Sequence, residues 1–264
     1  NGVTFDFITS NKIFGDNESM LIGSDIHLKL NENNSIVFKL LSSEYEPAYN
    51  ATLFASNYLN YNWNNELENV ESNQFSLLLN FPKILEVNID YHSLNNFVQF
   101  EKTNLSTTST DEVYGIMPIQ YNEKIDFYSV NFNKKITFGK FTFDSRLMYQ
   151  KSSDESKISV PEIVSRNTLF FSTEMFKKAL FLQSGFSLKY FSSYYMKGYD
   201  PVLSELYVQN DKLFGEFPLV DFFINAKIQQ TRLFLKFEHL NSSVTGYNYY
   251  SAPNYPYRDF SIRF

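Results

Sequence analysis

The sequence predicts an all-β protein, a transmembrane antiparallel up-and-down β-barrel with at least twelve strands, incomplete at one or both ends of this chain. Three observations predict this fold. Apolar and ionisable residues alternate in segment after segment, and short connections between these segments alternate with long ones. The aromatic share is 18% although the mean hydropathy is negative, at -0.30. We expect residues 1–264 to form one outer-membrane β-barrel domain of a longer protein.

The stretch from 138 to 149 shows the alternation most clearly. Successive side chains of a β-strand point to opposite faces of the sheet, so residues of one parity share a face. One parity carries Phe141, Phe143, Leu147 and Tyr149, and the other carries Lys140, Thr142, Asp144 and Arg146. One face therefore suits lipid and the other suits water, as a closed barrel in a membrane requires.

Composition bounds the class of protein. The chain has 28 Phe and 19 Tyr, but no apolar run approaches the length of a membrane-spanning helix. The net charge of -6 and the lack of a basic stripe argue against a nucleic-acid partner, because phosphate binding needs clustered Lys and Arg. A soluble β-sandwich stays open as an alternative, although so many aromatic residues would be unusual for its core.

The polar turns in the sequence mark where the predicted strands begin and end. The first covers residues 3–9, and residues 19–30 and 36–41 form a hairpin around the polar turn 31–34. A second hairpin joins residues 65–81 to the strand that begins at Leu85. Further short turns are predicted at 133–135, 177–178 and 229–230, before strands at 137–150, 180–195 and 231–240, and the twelfth strand covers 257–264.

Much longer segments separate these hairpins, at residues 44–63, 102–122, 151–164, 196–217 and 241–256. Short turns on the periplasmic side and long loops outside are typical of outer-membrane barrels. We therefore expect an integral protein of the outer membrane of a Gram-negative bacterium, with short turns periplasmic and long loops extracellular. Its expected partners are outer-membrane lipid and lipopolysaccharide, and other outer-membrane proteins if it belongs to a complex.

The alternation assigns a face to each strand residue, because a charge facing lipid at mid-bilayer costs about 2 to 4 kcal/mol for each Lys or Arg. The predicted lumen-lining residues are Asp25, His27, Lys29, Glu86, Asp90, Lys140, Asp144, Arg146, Gln183, Lys189, Asn225, Lys227, Arg232, Lys236, Glu238, Asp259 and Arg263. The predicted lipid-facing residues are Phe75, Leu77, Leu85, Val87, Ile89, Phe141, Phe143, Leu147, Phe186, Leu188, Leu233, Leu235, Phe237, Phe260, Ile262 and Phe264. The lumen is then either wet or filled with ion pairs.

The sequence offers no constellation for catalysis. The three histidines, His27, His92 and His239, lie on different predicted strands without the spacing of a metal site. A Ser/His pair at the rim would need His92 or His239 beside an outward serine, and nothing selects such a serine. We therefore expect no enzyme activity, no catalytic or metal-binding residue and no cofactor.

Several segments from about residue 118 onward carry a resemblance to a known family. They are PIQY at 118–121, VPEIVSRN at 160–167, YDPVL at 199–203, YVQN at 207–210, FPLVD at 217–221, the run 225–241 and SAPNYP at 251–256. In these segments the chain resembles the putative porin family of Bacteroidota outer-membrane proteins. The resemblance implies an outer-membrane β-barrel with a porin role and brings no catalytic residues. Members of that family are longer at the amino end and continue past Phe264.

Two functions lead on the sequence alone, and a third, a barrel enzyme acting on lipid or a loop-based glycan receptor, ranks below them because no catalytic constellation converges. The first is passive diffusion of small hydrophilic solutes through a polar lumen. The second is a non-conducting structural or interaction barrel, a subunit of a larger export or nutrient-uptake complex, with charges paired across a filled lumen. Strand number does not separate them, because about 8 strands enclose only side chains and about 16 to 18 leave an aqueous channel.

Overall fold

The computed structural model of the chain describes residues 2–11, 19–58, 60–105, 114–246 and 249–264. These residues form many strands and one helical turn, so the all-β prediction is confirmed. No helix in the described ranges combines the length and the apolar character that crossing a bilayer demands.

The described part of the chain contains twenty strands of unequal length. In chain order, the strands are β1 (Gly2–Asn11), β2 (Met20–Lys29), β3 (Ser35–Tyr45), β4 (Leu53–Phe54), β5 (Trp63–Asn64), β6 (Val70–Phe81), β7 (Leu85–Asn95), β8 (Phe97–Asn104), β9 (Tyr114–Tyr121), β10 (Ile125–Phe138), β11 (Phe141–Ser152), β12 (Ile163–Met175), β13 (Leu180–Phe191), β14 (Gly198–Asp200), β15 (Glu205–Val208), β16 (Leu219–Ile228), β17 (Thr231–Glu238), β18 (Tyr250–Ala252), β19 (Tyr255–Pro256) and β20 (Ser261–Arg263). The helical turn α1 (Tyr49–Thr52) precedes β4.

Twelve of these strands form one antiparallel sheet in the order β1-β2-β3-β6-β7-β10-β11-β12-β13-β16-β17-β20. Its order follows the chain, so the predicted up-and-down arrangement of twelve strands is confirmed. The sheet does not close on itself, however. Among the described strands β1 pairs only with β2 and β20 pairs only with β17, which leaves these two strands as edges.

The pairing register keeps the two parities apart from strand to strand. Asp144 lies opposite Thr168, and Thr168 lies opposite Ser187. On the other side of the sheet, aromatic rings meet across strands, with centroids 5.2 Å apart for Phe141 and Phe171. We call the side that carries Asp144 the polar face and the side that carries Phe141 the apolar face.

The large side chains of the apolar face are uncovered. Phe141, Phe186 and Leu233 keep 55%, 54% and 56% of their surface exposed. A β-sandwich buries such a face against a second sheet, because exposed apolar surface is costly in water. The twelve-stranded sheet therefore leaves these large apolar side chains uncovered.

One short turn is not where the sequence indicated. Residues 133–135 lie inside β10, and the chain turns at Gly139 and Lys140, where Gly139 has a φ of 60°. The prediction was wrong because the polar side chains within a strand look like a polar turn when its pairing is unknown. Lys134 lies on the apolar face, and its ammonium donates to the backbone oxygens of Lys83 and Ile84 in the neighbouring turn.

The last predicted strand, 257–264, is much shorter in the structure, where β20 has three residues. The residues before β20 make other contacts. Tyr257 N–H donates to the backbone oxygen of Tyr249 over 3.0 Å, and the Arg258 oxygen lies 2.7 Å from His239 Nδ1. Asp259, Phe260 and Phe264 consequently lie outside the strand.

The long connections also contain structure that the sequence did not predict. The elements α1, β4, β5, β8, β9, β14 and β15, which we call the loop layer, lie within three of these connections or extend from their ends. Four of the strands form a second sheet in the order β14-β15-β8-β9, in which β15 runs parallel to β8. Treating residues 44–63, 102–122 and 196–217 as plain loops was therefore wrong.

The loop layer has its own apolar core, formed by residues from all three connections. It contains Ala51, Trp63, Phe100, Ile116 and Leu203. Trp63 stacks on Phe54 with ring centroids 5.2 Å apart, and its Nε1 donates to the Asn50 oxygen over 2.9 Å. Burial of these rings offsets the entropy of ordering long connections.

Hydrogen bonds to carboxylates join the first and third connections. The Tyr61 hydroxyl donates to Asp200 Oδ2 over 2.7 Å, and Asn50 Nδ2 donates to Glu205 Oε1 over 2.6 Å. Burial, and then the Asp200 carboxylate, raise the pKa of Tyr61 to about 12, so the hydroxyl keeps its proton at any physiological pH.

We expect Trp63→Ala to open the loop layer without unfolding the main sheet. Removing a buried Trp costs about 3 to 5 kcal/mol, and this ring lies in the core of the loop layer. Hydrogen–deuterium exchange should become faster in β8 and β15 and stay unchanged in β11 to β13. Leu206→Ala, at a residue of β15 that is 56% exposed, is the control. Equal acceleration in β11 to β13 would contradict the separation of the two units.

Candidate functional site

Most of the residues that the sequence alternation predicted to line a lumen lie on the polar face. Every predicted lumen-lining residue that lies in a strand of the main sheet has the parity of Asp144 in the observed register. Two of that set lie elsewhere, since Lys140 is in the turn after β10 and Asp259 precedes β20. The predicted lipid-facing residues within strands all have the opposite parity. That the polar face encloses water stays a prediction.

The polar face contains a cavity of about 420 Å³ across β11, β12, β13, β16 and β17. Its lining residues are Asp144, Arg146, Arg166, Thr168, Phe170, Gln183, Ser187, Asp221, Phe223, Asn225, Phe234 and Lys236. Asp144, Arg146, Gln183, Asn225 and Lys236 are thus brought together as neighbours on the polar face. We call this concavity the wall cavity.

The predicted set lacked seven residues of the wall cavity. These are Arg166, Thr168, Phe170, Ser187, Asp221, Phe223 and Phe234. The same alternation, continued along β12, β13, β16 and β17, selects all seven, because each shares the polar face with its cross-strand neighbours. Arg166 and Asp221 also fall within the segments that carry the family resemblance.

A chain of alternating charges crosses four strands beside the wall cavity. Asp221 Oδ2 accepts from Lys189 Nζ at 2.9 Å and from Lys236 Nζ at 3.0 Å. Lys236 also reaches Glu238 Oε1 at 2.6 Å, and Glu238 Oε2 pairs with Arg263 Nε at 2.7 Å. The chain ties β13, β16, β17 and β20 together through side chains, in addition to the backbone ladder.

Asp221 is the centre of this charge chain. Its side chain is only 4% exposed, and its second oxygen, Oδ1, accepts the backbone N–H of His239 at 3.0 Å. A buried carboxylate is stable only when its oxygens are satisfied, and here two ammonium groups and one amide do so. Asp221 is therefore a fixed part of the wall with no oxygen left over for a ligand.

The arginine side chains of β11 and β12, unlike the charges around Asp221, lie opposite other cations. Arg146 lies directly opposite Arg166, and Arg166 lies directly opposite Lys189. The nearest carboxylate oxygen to Arg146 is Asp144 Oδ1, 3.9 Å from its Nε. In the part of the chain that the structure describes, Arg166 makes neither an ion pair nor a side-chain hydrogen bond. Like charges directly opposite each other destabilise a sheet.

The remaining predicted lumen residues form smaller groups. At the β1 edge, His27 Nε2 lies 3.7 Å from Asp6 and 3.9 Å from Asp25, and Asp25 lies 3.4 Å from Lys39 Nζ. Lys29 lines a separate concavity beside His27. Ser76 Oγ and Asn88 Nδ2 donate to Asp90 over 2.7 and 2.6 Å.

Two further predicted cations lie towards the short turns. Lys227 stands directly opposite Arg232, and neither forms an ion pair within the described ranges. Glu86, at the start of β7, lies opposite Asn133. The wall cavity is therefore the place where the largest number of predicted residues meet.

The histidines do not form a catalytic arrangement in the described residues. His92 packs its ring edge-on against Phe127, with centroids 6.2 Å apart. His239 is 1% exposed and lies against Tyr249, with ring centroids 4.4 Å apart. Within the described ranges no hydrogen bond joins either ring to a serine, and no cluster of three or more His, Cys, Asp or Glu could hold a metal ion.

We expect Asp221→Asn to destabilise the protein by about 2 kcal/mol, because it leaves two lysine ammonium groups facing an uncharged amide. The free energy of unfolding, from urea titration in detergent micelles, measures the loss. Asp144→Asn is the matched control on the same face, and it should cost less than about 1 kcal/mol since its nearest cation is 3.9 Å away. Equal losses for the two variants would show that the charge chain does not hold the wall.

Comparison with solved structures finds a likeness in the siderophore receptor PirA from Acinetobacter baumannii. The two share 11% sequence identity with a TM-score of 0.55, and the match covers 98% of this chain and 44% of the receptor. The chain thus spans less than half the length of that receptor. At this identity the likeness concerns the fold alone.

Comparison with curated proteins finds no match. Comparison with protein families, in contrast, finds one described as Putative porin, which matches residues 2–264. The matched range includes every strand of the main sheet and the whole loop layer. Together with the two-faced antiparallel sheet, this match shows that the chain belongs to the Putative porin family.

Proposed function

We propose that the chain forms the wall of an outer-membrane porin that lets small hydrophilic solutes diffuse passively. One observation carries this proposal: the twelve-stranded sheet has an uncovered apolar face and, opposite it, a face of charged and polar side chains. Lipid satisfies the first and water satisfies the second. Membership of the Putative porin family agrees with it.

The polar face is suited to water rather than to a dry core. Arg146 keeps 65% of its side chain exposed, and its neighbour Arg166 is exposed as well. Burying such guanidinium groups without partners would cost several kcal/mol, whereas hydration stabilises them. A wet lumen is the environment in which both arginines are stable.

Conduction requires that the two edges of the sheet find partner strands, because lipid tolerates no unpaired backbone. We propose that further strands of the barrel pair with β1 and β20. About 16 to 18 strands enclose an aqueous channel, and twelve strands supply most of such a wall.

The proposed membrane orientation follows from the connections between strands, which are short at one end of the strands and long at the other. The barrel lies in the outer membrane of a Gram-negative bacterium of the Bacteroidota, with the short turns periplasmic and the long connections, including the loop layer, extracellular. Its partners are outer-membrane lipid and lipopolysaccharide, and nucleic acid is not among them. The proposed activity is passage of solutes, with no catalysis and no cofactor.

A second function is favoured by the charge chain and by two rings on the polar face. Phe223 and Phe234 both line the wall cavity, and the ion pairs around Asp221 occupy several of the charges. A lumen narrowed in this way fits a non-conducting barrel that serves as a subunit of a larger export or nutrient-uptake complex.

Single-channel recording in a planar lipid bilayer separates the two functions. A porin should give stepwise currents above the leak of a protein-free bilayer, and the absence of steps would favour the structural subunit. Phe234→Ala should raise the size of the steps because it removes a ring from the polar face. Phe186→Ala, which removes a ring from the apolar face, should leave the steps unchanged.

A further inference from the structure

We propose that the wall cavity is a binding site for small organic monocarboxylates that carry an apolar group. The inference rests on the part of the proposed function that places the polar face in water, and it does not depend on conduction. The site combines two arginines, a floor of phenylalanine rings and a few uncharged hydrogen-bonding groups.

The two arginines are the anion-binding element. Arg146 and Arg166 occupy directly opposed positions on β11 and β12, where two like charges repel each other. An anion between them would convert this repulsion into attraction. A carboxylate matches the planar fork of a guanidinium and accepts two parallel hydrogen bonds from it.

The protein's own carboxylates do not fill this role. Asp221 already accepts from Lys189, Lys236 and the backbone of His239. Asp144 lies on the same strand as Arg146 with a closest approach of 3.9 Å, too far for a hydrogen bond. In the part of the chain that the structure describes, the Arg166 guanidinium thus keeps all its donors for water or for a ligand.

The charges of the lining residues favour a ligand with a single negative charge. Arg146, Arg166 and Lys236 contribute three positive charges, and Asp144 and Asp221 contribute two negative ones. One positive charge remains in excess. A monocarboxylate balances it, whereas a dianion would bring a second negative charge close to the two aspartates.

An apolar floor explains why the ligand should also have an apolar body. Phe170, Phe223 and Phe234 line the same cavity, on the face that also carries Arg146 and Arg166. Gly185 lies between Phe170 and Phe223 in the register, and a Cβ at this position would approach Phe170 Cβ to 2.5 Å. Because Gly185 has no side chain, no group stands between Phe170 and Phe223 in this row of the register.

The size and the remaining lining groups agree with a small ligand. A volume of about 420 Å³ lies within the usual range for small-molecule sites. Thr168, Ser187, Gln183 and Asn225 add hydroxyl and amide groups around the floor. Such groups fix the orientation of a ligand and raise selectivity more than affinity.

The test is binding of benzoate to the purified, folded protein in detergent, measured by isothermal titration calorimetry. We expect benzoate to bind, while benzamide, which has the same shape without the charge, and acetate, which lacks the ring, bind at least roughly tenfold more weakly. Arg166→Gln should weaken benzoate binding by roughly tenfold or more, because it removes a charge-assisted hydrogen bond. Arg232→Gln, on the same face but outside the wall cavity, should leave it unchanged.

The outcomes distinguish this inference from the proposed function. No benzoate binding, or equal affinity in Arg166→Gln and the unchanged protein, would overturn the carboxylate site even if the barrel conducts. Equal affinity for acetate and benzoate would overturn the role of the phenylalanine floor. Benzoate binding by a barrel that gives no current steps would leave the site standing and remove the diffusion function. Far-ultraviolet circular dichroism of each variant confirms that the sheet is intact.

Discussion

The backbone hydrogen-bond ladder of the twelve-stranded sheet is the constraint on which the rest of the structure depends. Because each inner strand satisfies its N–H and C=O groups on two neighbours, the strands need no water and can face lipid. The ladder also fixes the register, and the register assigns each side chain to one face. A slip of one residue between β12 and β13 would move Arg166 to the apolar face. The separation of charge from hydrocarbon is thus a consequence of pairing, not of composition alone.

Much of this architecture could be predicted because strand periodicity is local information. The parity of Asp144 and Arg146 on β11, or of Lys236 and Glu238 on β17, follows from counting in twos. The loop layer could not be found in this way, since its parallel contact joins β15 to β8, about a hundred residues earlier in the chain. The turn at Gly139 was misplaced for the opposite reason, because a polar run is locally ambiguous. For the wall cavity, strand parity predicted that Arg146 and Asn225 share one face. It could not predict that they lie near Asp221, because that proximity depends on the pairing of β13 with β16.

The charges of the wall fall into two kinds with different physical roles. Asp221 is buried and saturated, so it holds neighbouring strands together and has no capacity left for a ligand. Arg166 is exposed and has no carboxylate partner within the described ranges, so its charge is available to a ligand at the polar face. On one face, the charges of one strand can therefore be neutralised by ion pairs while a charge of a nearby strand stays free to bind a ligand. Net charge, at -6 for the whole chain, conceals this local division.

Lys134 shows how the protein itself can supply partners for a charge on the apolar face. The residue sits among the apolar side chains of β10, yet its ammonium is held by two backbone oxygens of the adjacent turn. Long lysine stems commonly extend from hydrocarbon to a polar boundary, and here that boundary is made by the protein itself. Two of the three N–H donors of the Lys134 ammonium are therefore satisfied by peptide groups, so the charge does not depend on lipid headgroups alone for its partners.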